Sequence, residues 1–352
     1  MSSLSTPLLL VVFAVAGVVT WLAGIRLSSA TDTLDRRLNL GEALGGVILL
    51  AIAGSLPELA ITVSAAASGD LGLASGNLIG GVAVQTLVLV ICDAAVRGDR
   101  PLSYLAGSLL PVFEALLVVV TVSVTVAGGL LRPSVGLGGV VSPASIVIVV
   151  LWAGGLVVLN RARKEQPWRA EAPASHPGRR SRREAHPTAP PPHADASTAR
   201  VAAIFGLASV LTLGAGVVLA DGGNELANRA GINGVIFGAT ILALVTALPE
   251  ISSGLAAVRL GDYQLTFGDI FGGNAFQVCL FLVADLVAGR PVLPHQGAAN
   301  SWLGGLGIVL TAVYGAGIIA RPSRRIGRLG VDSIAVVVLY ALGVVGLVAV
   351  SQ

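Results

Sequence analysis

The chain has 352 residues, of which 54% are hydrophobic and only 12% are charged. A soluble domain carries about 25% charged residues, so this composition excludes an ordinary soluble globular protein. Apolar runs of about 20 residues, long enough to cross a bilayer, recur along the whole chain. We therefore predict an all-α polytopic membrane protein. The formal net charge of +3 says little by itself, and we expect no nucleic-acid partner.

The predicted elements are ten membrane-spanning helices, five in each half of the chain. The N-terminus lacks the basic start of a signal peptide, so the first apolar run is interpreted as the first span. In chain order the predicted spans are 7–27, 41–67, 71–96, 102–128, 137–160, 201–220, 232–258, 263–288, 300–320 and 331–350. The halves are residues 1–160 and 201–352.

The side chains within these spans argue against an enzyme and against a resident cofactor. Cys92 and Cys279 fall inside spans and form neither a disulfide framework nor a zinc site, so they are interpreted as small packing residues. No nucleophile–base set is evident within the spans. The four histidines all fall in predicted loops: His176, His186, His193 and His295.

Residues 161–200 join the two halves. They are rich in Pro, Arg and Ala and poor in bulky apolar residues, which predicts a disordered linker. Basic loops stay in the cytoplasm, and with the linker inside, 19 of the 22 Lys and Arg residues lie inside. We therefore expect a multi-pass protein of the plasma or inner membrane, with a cytoplasmic linker and both termini outside. The linker is either a topology signal and tether or a regulatory segment that binds anionic lipid.

A repeat relates the two halves at a constant offset of 192 residues. SLPELAIT near residue 55 matches ALPEISSG near 247, and GNLIGGVAVQ (76–85) matches GDIFGGNAFQ (268–277). Between residues 56 and 93, 13 of 38 positions are identical to their partners. Five spans separate the copies, about 45–93 and 237–285, so the copies are inverted in the membrane. Inverted repeats with interrupted helices are typical of secondary transporters, whose site lies near the midplane.

Each copy carries a proline followed by a glutamate inside an apolar run: Pro57-Glu58 and Pro249-Glu250. Proline removes a backbone hydrogen bond and interrupts the helix. A carboxylate within a bilayer is costly, so it usually faces a cavity or a partner. Two glutamates from opposed repeats could meet with hydroxyl, amide and carbonyl oxygens around a calcium ion, which takes six to eight oxygen ligands. The alternative is a structural kink with a protonated glutamate.

The second block of each repeat adds further polar candidates. Its glycines fit close helix packing. Gln85 and Gln277 could ligate a cation or bond across helices, two roles between which the sequence does not choose. Asn77 is matched by Asp269, a third carboxylate that breaks the symmetry. We expect Asp93 and Asp285, near span ends, to be solvated. Glu114 has no counterpart in the other half and either pairs locally or contributes to a proton path.

These motifs resemble the sodium/calcium exchanger family of the cation/calcium antiporter superfamily. The family motifs resemble G-[ST]-S-x-P-E and, about twenty residues later, G-N-x-x-G-S-N; here they are AGSLPE with GNLIGGV and VTALPE with GDIFGGN. The resemblance implies two inverted five-helix repeats and alternating-access exchange of calcium, in which spans 1 and 6 slide across the bundle. By position it implies that Glu58 and Glu250 are paired calcium ligands. It also matches hydroxyls at Ser55 and Thr246, with nearby backbone carbonyls, and retains Asn274.

The chain departs from the family pattern at several ligand positions. Gly54 and Ala247 each replace a hydroxyl, Gly81 and Gly273 stand where the family has serine, and Val82 replaces the first-repeat asparagine. Gln85 and Gln277 stand where the family usually has Asn or Asp. Fewer side-chain oxygens remain for sodium. The candidate metal ligands are therefore Glu58, Glu250, Ser55, Thr246, Gln85, Gln277, Asp269, Asn77 and Asn274.

The predicted function is calcium/sodium antiport, with calcium/proton antiport as the alternative because burial favours a neutral, protonated carboxyl group. A non-transporting cation-binding relative is a further alternative, favoured by the missing hydroxyls. A passive channel would not need two opposed kinked halves. The partners we expect are calcium, sodium or protons as transported ions, and the lipid bilayer.

Overall fold

The computed structural model describes residues 1–38, 52–165, 196–232 and 234–351. Within these ranges the chain is almost entirely helical, with one two-stranded hairpin near the C-terminus. Large apolar side chains remain exposed along the helices, for example Leu207, Val210 and Val345. A helix surface of this kind suits contact with lipid acyl chains rather than with water.

The described residues of the first half form six α-helices. α1 is the longest of them, with 33 residues. α2 and α3 carry the first repeat, and the remaining helices complete the half. Their bounds are α1 Thr6–Leu38, α2 Leu56–Ala67, α3 Leu71–Ala95, α4 Leu102–Leu105, α5 Leu110–Gly128 and α6 Pro143–Glu165, with a 3₁₀ turn at Pro133–Val135.

The second half begins with another 33-residue helix and repeats the order of the first. A short π-helical segment, Gly238–Leu242, lies within its broken span. The bounds are α7 Thr198–Ala230, α8 Gly234–Phe237, α9 Ala243–Thr246, α10 Leu248–Leu260, α11 Tyr263–Gln277, α12 Leu280–Ala288, α13 Gly297–Ala320 and α14 Val331–Ser351, with a 3₁₀ turn at Leu293–His295 and strands β1 Arg325–Ile326 and β2 Leu329–Gly330.

Eight helical stretches in the described residues are long and apolar enough to cross a membrane, and a bent pair of helices makes up to nine. The predicted count of ten is therefore not confirmed, because much of the predicted span 41–67 lies outside the described residues. Its described helix, α2, has 12 residues. Most of the predicted linker also lies outside them. The ends of that linker are helical, since α6 extends to Glu165 and α7 starts at Thr198.

The Gly-Asp pairs of the two repeats mark equivalent helix junctions. Gly69 and Gly261 have φ angles of +81° and +77°, a left-handed conformation that glycine adopts without a side-chain clash. The following aspartates cap the next helix: Asp70 accepts a hydrogen bond from the Leu73 amide at 2.9 Å, and Asp262 accepts one from the Leu265 amide at 3.0 Å. These identities therefore preserve a tight turn between two spans.

Asp93 and Asp285 are structural anchors, which corrects the expectation that they are solvated. Both are buried. Asp93 accepts hydrogen bonds from the Leu102 amide at 2.7 Å, the Gly330 amide at 2.6 Å and the Ser333 hydroxyl at 2.7 Å. Asp285 accepts from the amides of Val292 at 2.6 Å and Ser142 at 2.9 Å. Each carboxylate thus fixes the loop that follows its own helix to a distant segment.

Replacing Asp93 with asparagine is expected to lower the free energy of unfolding by about 2–4 kcal/mol, because an amide cannot accept at both ends and leaves a buried N–H group unpaired. The measurement is the melting temperature of the detergent-purified protein. Asp99→Asn is the matched control, since Asp99 is exposed. A melting temperature for Asp93→Asn equal to that of the control would contradict the anchoring role.

Candidate ion-binding site

Both Pro-Glu pairs lie at the start of a helix that follows a break in the span. Each proline occupies the first turn of α2 or α10, where its missing N–H group costs no helical hydrogen bond. The helix break falls at Ser55 in one half and at Ala247 in the other, and the second broken span bends by 51°. Glu58 and Glu250 therefore lie in first turns, where the helix dipole favours negative charge.

Glu58 is held deep in the bundle with one oxygen free. It is 1% exposed, and its Oε1 accepts a hydrogen bond from the Gln85 amide at 3.4 Å. The Thr246 hydroxyl of the opposite half also contacts its carboxylate while donating to the Ala243 carbonyl at 3.1 Å. Its Oε2 is buried and has no hydrogen-bond partner.

Glu250 lies close to two other carboxylates. It interacts electrostatically with Glu58 and Asp269, and its Oε2 is likewise buried without a partner. The Ser253 hydroxyl links this group together, because it lies 2.5 Å from Asp269 Oδ2 and 3.2 Å from the Glu250 carbonyl oxygen. Asp269 therefore belongs to the same cluster as the two glutamates. Glu250 and Asp269 are half-buried, whereas Glu58 is buried.

Gln277 bonds across helices, so the structure favours one of its two predicted roles. Its amide nitrogen donates to the carbonyls of Leu78 at 2.9 Å and Asn77 at 3.3 Å on α3. A Cβ atom at Gly81 would collide with that nitrogen. Glycine at this position therefore makes room for the Gln277 amide. Its repeat partner Gln85 instead contacts Glu58, so the two glutamines differ in function.

The remaining candidates are buried, and Asn77 and Asn274 retain polar atoms without partners. Asn77 is fully buried, and neither its oxygen nor its nitrogen has a partner. Asn274 donates to the Val82 carbonyl at 3.4 Å, while its Oδ1 has no partner. Ser55 is buried at the first helix break. The structure thus gathers Glu58, Gln85, Thr246, Glu250 and Asp269 directly, and it places the other candidates on the helices around them.

In the described part of the chain, no group of three His, Cys, Asp or Glu side chains has the geometry of a metal centre. A cation between the glutamates would therefore take its remaining ligands from hydroxyl, amide and backbone oxygens. Such a neutral oxygen set suits hard cations that must bind and leave.

Glu114 has a local partner. Its carboxylate lies 3.5 Å from the guanidinium of Arg163, and its Oε2 is buried without a hydrogen bond. A Cβ atom at Gly268 would lie 3.3 Å from this oxygen. Glu114 therefore packs against Gly268, the residue that precedes Asp269. Its ion pair with Arg163 corresponds to local pairing, one of the two roles that the sequence left open.

The motifs near the glutamates do not reveal that α1 and α7 cross the opposite half at matching positions. A Cβ atom at Gly24 would lie 2.6 Å from Pro249 Cγ, and one at Gly216 would lie 2.6 Å from Ala60 Cβ and 3.1 Å from the Pro57 carbonyl oxygen. Gly24 and Gly216 are themselves 192 residues apart. Reciprocal contacts of this kind are the mark of a two-fold relation.

The repeat offset, carried further toward the N-terminus, would have found these crossings. Residues 16–27 and 208–219 share six identities in 12 positions. The identical pairs are Ala16/Ala208, Val18/Val210, Thr20/Thr212, Ala23/Ala215, Gly24/Gly216 and Leu27/Leu219. Half of this set is alanine or glycine, which allows helices to approach closely.

A helical membrane bundle with two broken helices, related two-fold and carrying apposed carboxylates, has the architecture of a secondary transporter for cations. The chain belongs to the sodium/calcium exchanger family: the family model described as "Sodium/calcium exchanger protein" matches residues 8–160 and 200–349. This confirms the resemblance seen in the sequence. The family consists of transporters rather than enzymes, and cation/calcium antiport is its class of activity.

Relatives and solved structures agree with this assignment. The chain is 27% identical over 299 residues to "Putative antiporter CaxA" of Alkalimonas amylolytica, covering 82% of this chain and 84% of that protein. It is 26% identical over 257 residues to "Inner membrane protein YrbG" of Escherichia coli (strain K12), covering 73% of each.

The crystal structure of the H+/Ca2+ exchanger CAX matches with a TM-score of 0.66 at 16% identity, over 97% of this chain and 87% of that one. The sodium-calcium exchanger NCX_Mj matches with a TM-score of 0.59 at 17% identity, over 97% and 99%. At such identities the likeness lies in the fold. The multi-pass architecture is thus shared with exchangers of both kinds.

Proposed function

We propose that the protein exchanges calcium for sodium by alternating access, with calcium bound between Glu58 and Glu250. The observation that carries the proposal is the pair of buried, unpartnered Oε2 atoms on these two residues. A buried carboxylate oxygen without a donor is costly. A divalent cation would remove that cost at both residues together, and Thr246, Gln85 and backbone carbonyls would supply neutral oxygens around it.

The charge of the site would enforce exchange rather than leak. With calcium bound, the two glutamates are neutralised and the site can change the side to which it opens. For an empty site, the same conformational change would bury two uncompensated charges, and their desolvation makes that change unfavourable. Sodium ions would neutralise the carboxylates for the return step. Further oxygen ligands would come from the surrounding helices, at Ser55, Asn77 and Asn274.

Protons are the second candidate for the counter-ion. The specific observation in their favour is Asp269, a third carboxylate that interacts with Glu250 and accepts a hydrogen bond from Ser253. Two carboxylates are enough to neutralise one calcium ion, so the third acidic group is available to bind a proton. The fold relative CAX is an H+/Ca2+ exchanger, whereas NCX_Mj is a sodium-calcium exchanger, so both couplings occur on this fold.

Calcium uptake into proteoliposomes, driven by an outward sodium gradient or an outward proton gradient at matched voltage, decides between them. We expect uptake with the sodium gradient and little uptake with the proton gradient. Uptake with protons alone would replace sodium by protons in the mechanism and give Asp269 a part in carrying them. Protein that takes up no calcium under either gradient would contradict calcium antiport.

We further propose that the protein lies in the plasma or inner membrane with its two termini outside and residues 161–200 in the cytoplasm. The support is the distribution of basic residues, which favours the cytoplasmic side. In this arrangement the halves 1–160 and 201–352 form the two inverted units, and neither a cofactor nor a nucleic acid takes part.

A further inference from the structure

Unpartnered polar atoms in the described residues form only two pairs that match across the repeat. The first pair is Oε2 of Glu58 and of Glu250, and the second is the hydroxyl of Thr20 and of Thr212. Both threonines are fully buried at 0% exposure. The other buried atoms without partners belong to residues whose counterpart in the opposite half is not among them.

The free hydroxyls of these threonines are set apart by their matching positions, because Thr62 and Thr311 also lack a partner but have no threonine at the equivalent position of the other half. A buried helical threonine normally donates to a carbonyl in the preceding turn. Thr31 does so in the same helix, with its hydroxyl 2.8 Å from the Leu27 carbonyl oxygen. Thr20 and Thr212 make no such bond. An unpaired buried hydroxyl destabilises the fold, and its presence at matching positions in both halves fits a partner that is bound only part of the time.

Both threonines lie where α1 and α7 cross the broken helices. Gly17 and Gly24 flank Thr20 on one face of α1; a Cβ atom at Gly17 would lie 2.8 Å from Val245 Cγ1, and one at Gly24 would lie 2.6 Å from Pro249. Thr20 therefore lies on the face of α1 that crosses the break between α9 and α10, where the helix that carries Glu250 begins. Thr212 lies one turn before Gly216, which contacts the Pro57 carbonyl on the helix of Glu58.

We propose that Thr20 and Thr212 each supply a hydroxyl ligand to the transported cation, so that the site takes oxygens from α1 and α7 as well as from the broken helices. The inference rests on the proposed function and deepens it. A hydroxyl is a hard, neutral ligand that suits calcium or sodium, and it leaves the charge of the site unchanged. Since each helix break carries one hydroxyl, at Ser55 or at Thr246, the threonines double the number of hydroxyls.

The test is calcium binding to purified Thr20→Val and Thr212→Val proteins, measured with radioactive calcium and by the calcium-induced shift in melting temperature. Valine keeps the shape of the side chain and removes only the hydroxyl. Each variant is expected to bind calcium at least about fivefold more weakly, because ligand number sets the affinity of calcium sites. Without ions, the melting temperature should stay the same or rise, since an unpaired buried hydroxyl has been removed.

Two further variants separate ligation from packing. Thr31→Val removes a buried hydroxyl from the same helix and should leave calcium affinity unchanged. Thr20→Ser retains the hydroxyl and should bind within about twofold of the natural protein. Unchanged calcium affinity in Thr20→Val and Thr212→Val would overturn the proposal, and so would a lower melting temperature with unchanged affinity, which indicates a packing role.

The measurements distinguish a failure of this ligand proposal from a failure of the proposed antiport function. Natural protein that binds calcium but exchanges none contradicts antiport, while the binding test on the threonine variants stays valid. Natural protein that binds no calcium contradicts both.

Discussion

Replacing Glu58 or Glu250 with glutamine is expected to abolish calcium exchange while the protein remains folded. Glutamine keeps the size of the side chain and removes the charge that calcium needs, so calcium affinity should fall by about a hundredfold or more, given how strongly ligand charge sets the affinity of calcium sites. The melting temperature without calcium should not fall, because Oε2 of each residue has no partner to lose. The measurements are calcium uptake into proteoliposomes and calcium-induced thermal stabilisation.

The matched control for this prediction is Glu225→Gln. Glu225 forms an ion pair with Arg229 at 2.7 Å on α7, away from the helix breaks, so its loss should leave exchange intact. Calcium uptake near the natural rate in Glu58→Gln or Glu250→Gln would show that the ion binds elsewhere. Loss of uptake in the control as well would point to a general effect of removing an acidic group.

Adding a methyl group at Gly216 is expected to slow exchange strongly. The Cβ atom of alanine would lie 2.6 Å from Ala60 Cβ and 3.1 Å from the Pro57 carbonyl oxygen, closer than packed atoms tolerate. Alternating access requires one part of the bundle to move against the other around the site. An overpacked contact at the crossing should therefore lower the maximal exchange rate by about ten- to a hundredfold, measured as initial rates in proteoliposomes.

A second substitution makes this prediction specific. Ala60→Gly removes the Cβ atom with which the added methyl group collides, so the double variant Gly216→Ala with Ala60→Gly should recover most of the rate. Gly214→Ala is the control, because no atom lies within 4 Å of a Cβ built there. A slow double variant together with a normal Gly214→Ala variant would mean that the contact with Ala60 is not what limits the exchange rate.

Much of this architecture could be predicted from the sequence because its strongest signals are chemically improbable in a membrane. A proline beside a glutamate in an apolar run is rare, and the same pair recurs 192 residues later. The Gly-Asp pairs have an equally local cause, a left-handed turn followed by a helix cap. Such features depend on neighbours in the chain, and the sequence therefore predicts the helix breaks, the repeat and the family.

The features that the sequence did not predict depend on residues far apart in the chain. Asp93 lies at a span end, but the amide of Gly330 and the hydroxyl of Ser333 reach it from 237 and 240 residues away. Sequence position alone therefore suggested solvation where the fold provides burial and hydrogen bonds. The hydrogen-bonding role of Gln277 likewise could not be predicted without knowing which α3 carbonyls lie opposite it. Thr20 was missed because small and hydroxyl residues in an apolar helix give no signal until the repeat is extended to them.

The reciprocal crossings have a consequence for how the two halves communicate. Gly24 of the first half touches Pro249 of the second, and Gly216 of the second half touches Pro57 of the first. The helices that carry these glycines also pack against each other. A displacement of this helix pair therefore acts on both kinks together, which is thermodynamic coupling through a shared body. Packed contacts of this kind favour discrete arrangements over intermediate ones, so we expect the two half-sites to behave as one cooperative switch.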